Sequence, residues 1–144
     1  MRFYTINEVA IMTGFSTRTL RNYISAGILQ GEKIEGVWQF SEEDFTGFIS
    51  NPNIITGLKS KINAQALDFL ADDKKKENSV CTILDFYVED EESTALSDFF
   101  CEQMNCSPKS TTKFSLHRNG RNTRVVLTGP EDIILEIMQH YHSR

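Results

Sequence analysis

Thr5–Gly27, TINEVAIMTGFSTRTLRNYISAG, reads as two short helices joined by a turn at Gly14. Thr5 and Glu8 stand three apart as a capping box, in which hydroxyl and carboxylate satisfy the free amides of a helix start. The first helix is predicted over 6–13, with Ile6, Val9 and Ala10 facing inward and Gly14 closing it. Ser16 is a natural N-cap for a second helix through Ala26, ended by Gly27. At about 100° per residue, Leu20, Tyr23 and Ile24 fall on one side, and Thr17, Arg18, Arg21, Asn22 and Ser25 on the other. The first side anchors the helix, and the second is a polar face carrying two arginines. A compact helix pair with such a second helix fits the DNA major groove.

Outward from this pair, Lys33–Phe40 (KIEGVWQF) alternates around Gly36 as a short hairpin does, and Ile28 and Leu29 pack beneath the helices. Ser41 opens a third helix whose first turn holds Glu42, Glu43 and Asp44, where the helix dipole favours negative charge. Phe45, Phe48 and Ile49 give it an apolar side, and Asn51-Pro52 stops it. Helix, turn, helix and wing in that order predict a winged helix-turn-helix domain over 1–52. A linker or dimerisation segment follows over 53–78. Its helix runs from Asn53 to Ala71 with Ile55, Leu58, Ile62, Leu67, Phe69 and Leu70 as the apolar set, and the solvated run DDKKKEN closes it. Then the pattern changes. Val80–Val88 is β-branched and aromatic, a strand. Asp90–Met104 is helical with Ala95, Leu96, Phe99 and Phe100 on one side. Lys113–Thr128 is a hairpin around Asn119-Gly120, and Gly129-Pro130-Glu131-Asp132 opens a last helix carrying Ile133, Ile134, Ile137, Met138 and Tyr141. The order β-α-β-β-α predicts a small two-layer α+β domain over 79–144, for dimerisation or sensing. The fold class is mainly α with an α+β second unit.

Composition sets outer bounds. The chain has 144 residues, 40% of them hydrophobic and ten of them Phe, enough for real cores in one domain or two small ones. The formal charge is −5, and the acidity is concentrated in 79–144, which hold six basic and ten acidic side chains. Residues 1–71 are near neutral, so DNA affinity there depends on clustering the cations on one face, with weak non-specific binding. No early apolar run suggests a signal peptide, and no window approaches the roughly 20 apolar residues of a membrane span, so a cytoplasmic protein without membrane contact is expected. Cys81, Cys101 and Cys106 form an odd set without a CxxC pair, which points to free thiols in a reducing compartment. Neither a metal site nor a cofactor is expected, since ligation needs several convergent thiolates or imidazoles.

Residues 3–50 resemble the DNA-binding domain of the MerR family of transcriptional regulators. The resemblance rests on YTINEVA in the first helix, GFSTRTLRNY across the turn and second helix, AGIL after it, and the wing followed by SEEDF. Excisionase-like winged helices share the GxW wing and the acidic helix after it. The resemblance implies recognition-helix contacts by Thr17, Arg18, Arg21 and Tyr23, and wing contacts by Lys33, Trp38 and Gln39. It also implies a homodimer on double-stranded DNA reading an inverted repeat, contact with RNA polymerase, and an effector that the residues do not name. The residues add two contacts of their own. Asn22 can pair with adenine, and the helix start at Ser16 offers free amides to a phosphate.

Two other readings stand beside this one. A winged helix kept as a scaffold makes the acidic second domain a protein-interaction module. An excisionase-like architectural protein bends DNA without a regulatory ligand. The tip His117-Arg118-Asn119-Gly120-Arg121, with Arg124, is either a solvated turn or a second phosphate contact. No pairing of nucleophile with base and no phosphate-binding glycine loop suggests an enzyme.

Overall fold

In the computed structural model, which describes residues 2–106 and 112–143 (the side chains of 105 and 106 excepted), the Thr5 box forms in both directions. The Glu8 amide donates to Thr5 Oγ1 at 3.1 Å and the Thr5 amide to Glu8 Oε1 at 3.0 Å. Helix α1 spans Ile6–Thr13 behind strand β1, Phe3–Tyr4, and Gly14 closes it at φ 78°. Helix α2 spans Thr17–Ser25, one residue shorter than expected. Ala26 is its cap, and the chain leaves through a Schellman arrangement: the Ile28 amide donates to Tyr23 O at 2.9 Å and the Gly27 amide to Ile24 O at 3.0 Å.

Strands β2, Glu32–Ile34, and β3, Val37–Ser41, form the expected hairpin. Glu35 at φ 50° and Gly36 at φ 80° make its two-residue loop, both with the positive angles of a type I′ turn. β3 also pairs with β1, so the first sheet runs β1-β3-β2. Gly31 admits Phe40 beneath it, because a Cβ there would lie 2.6 Å from the ring. Helix α3, Glu42–Ile49, begins with a second capping box between Ser41 and Asp44.

Helix α4 spans Pro52–Ala71 and starts one residue before the expected Asn53, because Pro52 fills the first helical position behind the Asn51 cap. Its buried seam is Ile54, Leu58 and Ile62, with Ile54 in place of the expected Ile55. Leu67 and Leu70, expected in the seam, are 62% and 75% exposed, since at 100° per residue they fall roughly 180° and 120° round the helix from it. Lys75 folds back over this end, with its ammonium 2.5 Å from the carbonyls of Phe69 and Asp72. Residues 72–78 are an exposed connection without regular structure.

The second sheet holds β4, Ser79–Tyr87, β5, Lys113–Asn119, and β6, Asn122–Pro130, in the order β4-β6-β5 with both pairings antiparallel. β4 and β5 are therefore parallel. Helix α5, Asp90–Cys106, is the crossover between them, with β6 inserted in the gap. Helix α6, Glu131–Ser143, completes β-α-β-β-α. Leu96 and Phe100 of α5 and Ile134 and Ile137 of α6 bury against Phe114, Leu116, Val125 and Leu127. Ala95, expected on this apolar side, is exposed. The opposite sheet face is half covered by α4: Gln65 Nε2 donates to Thr128 Oγ1 at 3.0 Å and to the carbonyl of Lys113 at 3.2 Å.

Among the described residues the molecule is mixed α/β, with six helices and two antiparallel sheets, and no helix is long and apolar enough to cross a membrane. One apolar cluster runs from Tyr4 and Val9 through Leu58 to Phe100 and Ile137. α1 packs against β5 and α5, and Tyr4 Oη donates to Asp98 Oδ1 at 2.6 Å.

Candidate nucleic-acid interface

Leu20 is fully buried, and the Tyr23 ring packs against Phe15 and Phe48, each 5.6 Å centroid to centroid. Those anchors fix the rotation of α2. The opposite arc, about 140° wide at 100° per residue, therefore turns to solvent with Thr17, Arg18, Arg21, Asn22 and Ser25 on it. Arg18, Arg21 and Asn22 are exposed, and Thr17 is half-buried. Ser16 caps the helix, its Oγ accepting from the Thr19 amide at 3.0 Å. The amides of Thr17 and Arg18 ahead of it have no intrahelical acceptor, the geometry that receives an anion.

The other arginines show what distinguishes this face. Arg2 lies 3.0 Å from Glu8 and 3.2 Å from Asp98. Arg118 pairs with Asp90, Arg121 lies 3.4 Å from Glu89, and Arg124 forks onto Asp85 at 2.7 and 2.9 Å. Among the described residues, Arg18 and Arg21 are the two arginines without a carboxylate. In a chain of net charge −5, that leaves their field uncancelled at contact range. Arg118, Arg121 and Arg124, by contrast, each face a carboxylate: Asp90 at the start of α5, Glu89 just before it, and Asp85 of β4.

The hairpin gathers the remaining sequence-predicted residues. Lys33 and Trp38 face each other in register, with the ammonium 5.7 Å from the indole centroid. Trp38 is half-buried and stacks on Phe40 at 6.4 Å, so its main role is packing. Gln39 is half-buried opposite Glu32. The loop tip also carries Ile34 and Val37, 42% and 57% exposed, which charge-based reading passes over. Their alternation with Lys33 and Trp38 is the available signal. The structure thus places Thr17, Arg18, Arg21 and Asn22 on the outward arc of α2 with Ser16 at its cap, Tyr23 on the opposite, anchoring side, and Lys33, Trp38 and Gln39 on β2–β3.

The thiols lie away from this face. Burial, then the charge of Glu8, pushes Cys101 up to about 12, and burial also raises Cys81, so both are protonated and poor nucleophiles at neutral pH. The side chain of Cys106 lies outside the described residues.

Among comparisons with known proteins, a family model described as a helix-turn-helix domain matches residues 3–51. No curated protein and no solved structure matches the chain. The matched span covers α1, α2, the hairpin and α3, so the N-terminal part of this protein is a helix-turn-helix domain.

Proposed function

We propose that the protein is a sequence-specific DNA-binding regulator of MerR type. In this reading α2 lies in the major groove, and β2–β3 is a wing against the flanking backbone. The observation that carries it is the uncompensated pair Arg18 and Arg21 on the outward arc of α2, within a matched helix-turn-helix domain. A guanidinium clamps phosphate or reads guanine O6 and N7 with two hydrogen bonds, and Asn22 reads adenine the same way, each good base contact contributing about 1–3 kcal/mol of discrimination. Thr17, the helix-start amides behind Ser16, the Tyr23 hydroxyl and Lys33 hold phosphates, while Trp38 and Gln39 shape the wing.

Recognition of an inverted repeat needs two copies. The seam of α4 (Ile54, Leu58 and Ile62) is occupied within the chain, so a dimer uses another surface. This reading assigns the dimer to β4, whose outer edge is unpaired among the described residues and whose side chains Ile83 and Tyr87 are 54% and 71% exposed. That same occupation of α4 favours a second reading, an excisionase-like architectural protein that binds single sites and bends them.

Selection from a random duplex library separates the two. The regulator predicts enrichment of two inverted half-sites about 10 bp apart, or a multiple of that. Single half-sites with bending favour the architectural reading, and no enrichment at low salt contradicts both.

A further inference from the structure

A cavity of about 400 Å³ opens between α4 and the outer face of the second sheet, lined by Lys59, Ile62, Asn63, His117, Asn119, Asn122 and Arg124 with Asp85. The volume lies in the range of small-molecule sites. Its wall is a row across three strands: Asp85 of β4 is in register with Arg124 of β6, which is in register with His117 of β5. Asp85 holds the Arg124 guanidinium through Nε and Nη2, which leaves Nη1 to donate elsewhere. Lys59 faces the row from α4, its ammonium without a carboxylate among the described residues. His117 is 9% exposed, and its buried Nε2 has no hydrogen-bond partner among the described residues.

We propose that this cavity binds a small oxyanion-bearing ligand, of phosphate or carboxylate chemistry, clamped between Lys59 and Arg124. Asn63, Asn119 and Asn122 orient its polar groups, Ile62 meets its apolar part, and the His117 ring borders it. α4 carries the consequence toward the helix-turn-helix domain. Lys61 lies 3.8 Å from the space beside Gly14, and Gly57 abuts the Phe15 ring, both in the turn between α1 and α2. A ligand that draws Lys59 toward the sheet shifts the same helix on which that turn rests. Binding is independent of the DNA-binding reading, whereas this regulatory consequence rests on it.

The test uses the full chain without DNA. Inorganic phosphate, and separately acetate, is titrated while amide and imidazole NMR signals are followed. Saturable shifts centred on Lys59, His117 and Arg124 are expected, with the His117 titration midpoint rising in the bound state. The double variant Lys59→Gln, Arg124→Gln is expected to weaken binding at least tenfold, while Lys74→Gln on the exposed connection leaves it unchanged. Response to phosphate alone assigns a phosphoryl ligand, and response to acetate as well assigns the wider oxyanion class. Shifts that do not saturate, or that survive the double variant, overturn the proposal. So does a response of these residues to duplex DNA but not to either anion, which makes the row a backbone contact. Failure of duplex binding with anion binding intact removes only the regulatory reading.

Discussion

Arg18 and Arg21 share the outward arc of α2, and among the described arginines these two lack a carboxylate partner. Arg118 and Arg121 look equally free in the chain, yet they meet Asp90 and Glu89, about thirty residues away. Local charge patterning cannot see pairs made by tertiary contact. Tyr4 is a similar case, its hydroxyl meeting half-buried Asp98, whose carboxyl is raised above its ordinary value mainly by burial. Tyr4→Phe leaves that carboxylate short of a donor and is expected to cost about 1–3 kcal/mol in urea unfolding, whereas a change below about 0.5 contradicts the role. His117 sets a pH dependence. Burial, then Lys59 and Arg124, lowers its pKa below the ordinary 6.5, so the unfolded chain binds more protons as pH falls through that window. The stability held with neutral His117 is complete above about 6.5 and is lost as pH falls through the folded value. His117→Gln is expected to flatten the fall in melting temperature below that pH, and an unaltered profile contradicts it.

Element boundaries follow local chemistry and are readable to within a residue or two. Two capping boxes, Gly14, Gly27 and the Glu35-Gly36 loop each act on neighbours three or four positions away, so sequence spacing determines them. The face of α4 is less readable. Ile54 and Ile55 sit about 100° apart, and both continue a stripe with Leu58 and Ile62, so the packing partner decides which is buried. Ile54 goes inward, with Leu58 2% exposed at the centre of the seam. Leu58→Ala is therefore expected to lower stability by about 2–5 kcal/mol, measured by denaturant midpoint at constant slope, and a loss below about 1 contradicts the seam.

At the scale of the molecule, the order of elements is legible and their assembly is not. The composition change at 72–78 matches an exposed connection, yet α4 and α1 both pack on the later sheet and one apolar cluster spans the two halves. That continuity depends on which faces meet, information spread over residues more than fifty positions apart. It also places the cavity beside His117 between elements that a linear reading keeps separate. Function still turns on the outward arc of α2. The most direct measurement is duplex affinity across a salt series for the intact chain and for Arg18→Ala, Arg21→Ala. The account predicts affinity that falls steeply with salt and is weakened at least about tenfold by the double variant. The slope becomes shallower by about one for each phosphate that the missing guanidinium groups no longer neutralise. Equal affinity and equal slope for the two proteins would contradict it.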